Sequence, residues 1–324
     1  MDALAQAGPA TPFWSMRLVP CNLCGSTSFR EIYPSRLESL AGRDVQEIYA
    51  CTSSAYGECG PIVRCTNCGF VYQNPQPDPE CIRAAYEDVV DVRYAEEREG
   101  RVHTFRRALG EIEEFARPGR LLDVGSHLGV FVEVARDLGW DARGIELSHW
   151  AVGVAQKRGL PVTRGSIADL RDAEHSYDAV TMWDVVEHLP DPTGDVRHIH
   201  RLLRPGGLLA ISTMDVDAPV ARVLGRRWPW YMQMHLSYFS RRTLARMVTA
   251  AGFQVVDVRR HCRIVRLGYL AEQLEQRIGP VLGRVARAVG ASQLGRRLVP
   301  IDLGDIVTLF AVSVPDSNHA EKAP

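Results

Sequence analysis

Long apolar runs are missing from this 324-residue chain, and no segment approaches the roughly 20 residues that a membrane-spanning helix needs. The opening MDALAQAGPATPFW has neither the basic start nor the apolar core of a secretory signal, so a cytoplasmic protein is expected. A surplus of one charge is missing too: 38 Lys and Arg face 39 Asp and Glu, for a formal net charge of -1. That balance excludes a global basic field of the kind that gathers nucleic acid, which is disfavoured as a partner. Lysine is scarce beside arginine, and we draw no function from this. There is no internal repeat.

At 46% hydrophobic residues the chain can bury a large core, and its length suggests about two domains. One of them is small. Seven of the eight cysteines lie between Cys21 and Cys81, and four form two CxxC pairs, which in a reducing compartment points to metal. Each pair, Cys21/Cys24 and Cys65/Cys68, is followed by a glycine that eases a tight turn, and four thiolates complete a tetrahedral, structural zinc shell. Cys51 and Cys59 are substitute ligands by spacing, whereas Cys81 and Cys262 read as ordinary buried thiols. Arg30, Arg36, Arg43 and Arg64 are nearly matched by acids, so the module shows no phosphate-binding face and reads as a structural lid or substrate-side wall.

Composition divides the chain into a loose tail over 1–20, the zinc-ribbon-like module over 21–79, a helical lead-in over 80–118, an α/β domain over 119–315 and a second tail over 316–324. The lead-in carries Ile82, Tyr86, Phe105, Leu109, Ile112 and Phe115 at helical spacing. Beyond Gly119, short apolar strands alternate with helices, the pattern of a parallel sheet covered on both faces. RLLDVG, ARGIEL, PVTRG, YDAVTMW, LLAIST, FQVVDVRR and IVTLFAVSV supply seven strands of a Rossmann-like sheet. The domain carries a cap segment at about 216–240 and a helical insertion at about 265–300. In the insertion Leu270, Leu274, Ile278, Val281, Leu282, Val285 and Val289 alternate with Arg284 and Arg287. That pattern predicts two packed helices or a dimer contact, with a weak membrane-surface contact as the alternative.

LLDVGSHLGVFVEVA is a strand, a glycine turn and a helix, a geometry that brings backbone close to a ligand. Glu146 follows about 20 residues later at the end of the next strand, placed for the two hydroxyls of a ribose. A nucleoside cofactor follows, and these features alone leave its class open. The loop reads GxHxG through Gly125, His127 and Gly129 without a third glycine, which departs from a dinucleotide fingerprint.

Taken together, DVGSHLG, GIELS, RGSIADL, YDAVTMWDVVEHLPDP, LLRPGGLLAIST and HLSYFSRRTLARMVTAAGF resemble, in order, the motifs of class I S-adenosylmethionine (SAM) dependent methyltransferases over about 119–315. The RCTNCGFVYQNPQP context resembles zinc-ribbon segments found ahead of some small-molecule methyltransferases. The resemblance implies that Asp123, Gly125, Ser126 and Gly129 hold the methionine part of SAM and Glu146 the ribose. Leu147 would flank the adenine, Ser166 and Ile167 would face its edge, and Trp183 and Asp184 would close over the sulfonium side. His127 stands where the family has a glycine. Its side chain is expected to point outward, the alternative being weakened cofactor binding.

Methyl transfer asks the protein mainly to position donor and acceptor and to exclude water, with a base needed for a hydroxyl acceptor. The acceptor pocket is expected near Asp184, Glu187 and His188 and under GRRWPWYMQMHLSYFS, where Trp228, Trp230, Tyr231, Tyr238 and Phe239 surround His235. His235 and His188 are the candidate general bases. Structural roles are their alternatives: a backbone hydrogen bond for His188 and a cap residue for His235. Glu187 and His188 would also offer two ligands to a divalent metal, as in similar quinone-pathway O-methyltransferases, though no third ligand is evident. A small-molecule or sugar-containing acceptor, methylated at oxygen, is expected. Two rivals stay open: a zinc-ribbon module that binds nucleic acid or protein, including an RNA methyltransferase, and a noncatalytic scaffold of the same fold.

Overall fold

The structure, a computed structural model, describes residues 15–40, 42–275, 284, 288, 290 and 292–315. Its N-terminal part comprises β1 (Met16–Arg17), β2 (Phe29–Tyr33), α1 (Val45–Tyr49), β3 (Ile62–Cys65), β4 (Val71–Gln73) and β5 (Gln76–Pro77). Residues 15–20 are tied into the fold, where a loose tail to residue 20 was expected, because β1 pairs antiparallel with β5 and the Val19 amide donates to Asn74 Oδ1. The lead-in is helical as expected, through α2 (Pro79–Glu87), α3 (Val92–Glu96) and α4 (Arg98–Ile112), with Phe105, Leu109 and Ile112 buried.

The α/β part runs β6 (Arg120–Val124), α5 (Val130–Asp137), β7 (Asp141–Glu146), α6 (His149–Lys157), β8 (Val162–Arg164), β9 (Tyr177–Trp183), α7 (Pro192–Leu202) and β10 (Leu203–Met214). It continues through α8 (Pro219–Leu224), β11 (Ser237–Tyr238), α9 (Arg241–Ala250), β12 (Phe253–Arg260), β13 (Arg263–Arg266), α10 (Leu267–Glu275), β14 (Leu298–Ile301) and β15 (Ile306–Ser313). All seven expected strands join one sheet of order β12-β15-β10-β9-β6-β7-β8, in which β15 alone runs antiparallel to its neighbours β10 and β12 and the other strands share one direction. Near-continuous apolar runs such as Leu121–Leu122 and Ala179–Val180 are what a strand buried on both faces requires. Order reverses between β6 and β9, so the crevice for a ligand opens at their C-terminal ends.

A second sheet, β11-β4-β3-β2, unites the four-cysteine module with the cap segment, because Ser237 and Tyr238 pair with Tyr72 and Val71. The module thus shares a sheet with the segment that carries His235. The insertion is helical where it is described, through α10 and at residues 284, 288 and 290. Its flanks are β13 and β14, which pair antiparallel, and α10 lies between them. The side chains of Leu274, Ile278, Val281, Leu282, Val285, Arg287 and Val289 lie outside the described residues. Among the described residues no helix is long and apolar enough to cross a membrane.

Candidate active site

A cavity of about 590 Å³ opens at the C-terminal ends of the parallel strands and is closed by the lead-in helices and the cap segment. Asp123, Gly125, Ser126, Glu146, Leu147, Ser166, Ile167, Trp183 and Asp184, all expected at the cofactor, line it, together with His188 and His235. Gly129 is the exception. It caps α5 with φ +70, and a Cβ there would meet Leu160, Val162 and Ala155, so this glycine serves helix packing rather than the cavity. Gly125, at φ +66, does face the cavity. A Cβ on it would come within 2.6 Å of Val185.

Glu146 ends β7 and holds the glycine loop in place: its Oε2 accepts from the His127 amide at 2.9 Å, and Oε1 accepts from the Leu147 and Ser148 amides at 2.7 and 2.9 Å. Burial raises its pKa, and the three amides work against that rise. Asp123 accepts from Thr181 Oγ1 at 2.7 Å, and burial pushes it to about 8. Ser126 Oγ and Trp183 Nε1 are buried without a partner among the described residues, so this flank has polar atoms to offer a ligand. SAM fits such a wall.

His127 corrects an expectation. Its side chain is 7% exposed and turned inward, its ring centroid 3.7 Å from that of Tyr94 at an interplanar angle of 25°. The Arg101 guanidinium lies 3.5 Å from the same centroid. One face cannot hold both, so Tyr94 is sandwiched between them. Arg101 has no carboxylate partner among the described residues and presents an unneutralised cation to the cavity. The tyrosine face offsets its charge in part.

On the opposite flank Glu187, His188 and His235 bring donor atoms within 4.8 Å of one another, which gives Glu187 and His188 the third group the sequence did not reveal. Nδ1 of His235 donates to the Trp230 carbonyl at 2.7 Å. Nδ1 of His188 sits 3.0 Å from the Met234 carbonyl and 2.7 Å from the Tyr86 hydroxyl. A nitrogen facing a carbonyl carries the proton, which leaves each Nε2 with its lone pair. Burial lowers His235 to about 3 and His188 to about 4, so both are neutral at physiological pH. Glu187, 0% exposed, accepts from Thr213 Oγ1 and is pushed to about 8 by burial and then by the Asp184 charge. Burial would raise Asp184 as well, but Arg263 at 2.5 Å outweighs it and holds the carboxyl below its usual range. Of the expected aromatic cap, Trp230 lines the cavity, while Trp228, Tyr231, Tyr238 and Phe239 are core.

Cys21 and Cys68 approach to 3.5 Å and Cys24 and Cys65 to 3.6 Å between sulfurs. A tetrahedral zinc with bonds of about 2.3 Å separates its sulfurs by about 3.8 Å, so the cluster fits that ion and excludes a disulfide. Cys51 and Cys59 stand outside it, and Cys81 and Cys262 are half-buried rather than core thiols. The second knuckle joins β3 to β4, which ends on Gln73. This fully buried side chain places Nε2 at 2.9, 3.1 and 2.6 Å from the carbonyls of Met232, Gln233 and His235, while its Oε1 accepts from the Gly60 amide. The loop bearing His235 is therefore fastened to the metal module. Gln73, Arg101, Arg263 and Tyr94 were not singled out from sequence, because each acts across a long chain separation without a local motif.

The raised acids set a pH dependence. A group with an elevated folded pKa gives stability that is present below its unfolded value and lost as pH rises through the folded one. Asp123 and Glu187, both near 8, follow this rule, while the buried histidines act oppositely but only below about 6.5. Zinc-loaded, cofactor-free protein is thus expected to lose about 1–3 kcal/mol of stability per unit between pH 6.5 and 8. Urea unfolding at pH 6.5, 7.25 and 8 measures this, and a flat or rising profile contradicts it.

A family model described as a methyltransferase domain matches residues 94–258, just over half of the chain. A ubiquinone biosynthesis O-methyltransferase of Burkholderia vietnamiensis is 38% identical over 103 residues, covering 30% of this chain and 44% of the relative. The protein of that name from Burkholderia thailandensis is 30% identical over 157 residues, covering 44% of this chain and 68% of the relative. The chain thus spans between under half and about two thirds of such relatives. Among solved structures, an S-adenosylmethionine dependent methyltransferase from Mesorhizobium loti aligns with 64% of this chain and 96% of its own, at 19% identity and a TM-score of 0.43.

Proposed function

The chain belongs to the family of methyltransferase domains, and from that premise we propose that it transfers a methyl group from SAM to a hydroxyl of a small-molecule or sugar-containing acceptor. One observation carries this reading: a single cavity joins Glu146 and the glycine loop on one flank to two neutral imidazoles on the other. Bound SAM would supply a methyl group already activated on sulfur. Glu146 would accept from the ribose hydroxyls, and Leu147, Ser166 and Ile167 would flank the adenine. Asp123, Gly125, Ser126 and Arg101 would hold the methionine end, with Arg101 offering its cation to the carboxylate. Trp183 and Asp184 would close the sulfonium side. Cys21, Cys24, Cys65 and Cys68 would hold a structural zinc.

On the acceptor side, Met214, Met232, Met234, Tyr86 and Trp230 form an apolar wall suited to excluding water. Nε2 of His235, or of His188 beside it, would take the hydroxyl proton as the oxygen attacks. Relatives named as O-methyltransferases support oxygen as the methylated atom. A second reading rests on the Glu187, His188 and His235 cluster, which would also suit a divalent ion that polarises the acceptor oxygen. Stimulation of turnover by added Mg²⁺ or Mn²⁺ would favour it.

The test is calorimetry of zinc-loaded protein with SAM and with its demethylated product, followed by labelled-methyl transfer to a panel of phenols, diphenols and hydroxysugars. Micromolar binding with transfer is expected, and folded protein that binds neither compound refutes the reading. His235→Ala is expected to lower kcat by about 100-fold, the low end for a general base, with SAM affinity unchanged. An unchanged kcat in that variant moves the role to His188.

A further inference from the structure

The cavity holds a second mixed cluster. The Cys51 thiol, the Asp91 carboxylate and the His127 imidazole bring donor atoms within 4.8 Å of one another, from three segments far apart in sequence. Cys51 follows α1, Asp91 caps α3, and His127 stands in the glycine loop. Cys51 and His127 line the cavity, and Asp91 is buried.

His127 supplies the strongest reason to look for a ligand. Its φ of 47 lies in the left-handed region that favours glycine, and both ring nitrogens are buried without a partner among the described residues. Each unmet polar atom costs stability, and a non-glycine residue held there adds strain, so a glycine would be easier to accommodate. Asp91 is prepared as carboxylates at metal sites are: Oδ1 accepts from Thr52 Oγ1 at 2.5 Å and the Tyr94 amide at 3.1 Å, and Oδ2 from the Thr52 amide at 2.9 Å. Those bonds fix the group and leave one lone pair free, on Oδ2. Stacking on Tyr94 fixes the imidazole as well.

We propose that Cys51, Asp91 and His127 form a second metal site, distinct from the four-cysteine cluster, for a divalent ion of the zinc class. One sulfur, one nitrogen and one oxygen suit a borderline ion, and three protein ligands leave a fourth position facing the cavity. Donors around zinc stand about 3.3–3.8 Å apart, so binding draws these groups together by up to about 1.5 Å and pulls the Cys51 segment onto the glycine loop. The Glu146 and Asp184 carboxylates line the same cavity and favour a cation; Arg101 opposes one.

Metal stoichiometry tests this without any methyl transfer, so its failure is separate from failure of the enzymatic reading. Full-length protein with one zinc in the four-cysteine cluster is titrated with Zn²⁺ and counted by native mass spectrometry. Wild type is expected to take a second equivalent. Cys51→Ala and His127→Gly, the latter restoring a residue that accepts the local backbone, are expected to lose at least tenfold in affinity for it, and Cys81→Ala to keep it. A wild type that stops at one zinc, or a second equivalent that survives in both Cys51→Ala and His127→Gly, overturns the proposal.

Discussion

Glu146→Ala is expected to raise the dissociation constant for SAM by about a thousandfold or more while leaving the protein folded. A carboxylate that accepts from both ribose hydroxyls contributes two charge-assisted hydrogen bonds of about 1.5–3 kcal/mol each, which together convert to a factor of roughly 100 to 10,000. A second effect adds to the first. Glu146 also receives the amides of His127, Leu147 and Ser148, so its removal frees the glycine loop from the end of β7. Glu146→Gln keeps an acceptor oxygen for part of this set and should sit between wild type and alanine. Calorimetry with the demethylated product, beside urea unfolding of each variant, separates lost affinity from lost fold. If Glu146→Ala binds within tenfold of wild type, the ribose lies elsewhere and the assignment of this flank falls.

How much of this was legible depends on how local each signal is. The strand, turn and helix from Arg120 to Asp137 could be read because buried parallel strands need continuous apolar runs and the turn needs Gly125, features contained within a few residues. The four cysteines were legible for the same reason: the CxxC spacing itself sets two sulfurs on one turn. The inward turn of His127 was not, since it depends on Tyr94 and Arg101, which reach the loop from the lead-in. Gly129 carried a misleading signal. It stands at a motif position, yet its open side faces Leu160 and Val162, and only packing reveals that. The insertion was legible as helical because its apolar spacing is helical, whereas the pairing of Arg263–Arg266 with Leu298–Ile301 at its flanks joins segments far apart in sequence and left no local signal. His188 and His235 could be named but not joined, because 46 intervening residues hide the fact that they share one wall.

Removing zinc from the four-cysteine cluster is expected to abolish methyl transfer, by a thousandfold or more, while SAM affinity stays within about tenfold. The structure dictates this split. Every residue assigned to the cofactor apart from Arg101 lies between Asp123 and Asp184, on or next to the seven-stranded sheet, whose hydrogen-bonded strands do not include the module's β2 to β4, although Val63, Cys65, Phe70 and Tyr72 pack into its core. The loop bearing His235, by contrast, is held by the module. β11 pairs with β4, the Gln73 amide donates to the Leu236 carbonyl, and the Gln73 side chain gathers three more carbonyls from the same loop. Small metal-organised modules lose their fold with the ion, so chelation releases all of these contacts together. Gln73→Ala isolates the link with zinc still bound. It strands carbonyls in a buried site and should lower kcat by about 10- to 100-fold with little change in SAM affinity. Gln73→Glu is the sharper variant, because a carboxylate cannot donate to those carbonyls and should do at least as much harm in the same volume. Chelation that costs SAM binding as heavily as transfer would make the module a support for the whole fold, and a Gln73→Ala variant with wild-type kcat would show that β11 pairing alone positions His235.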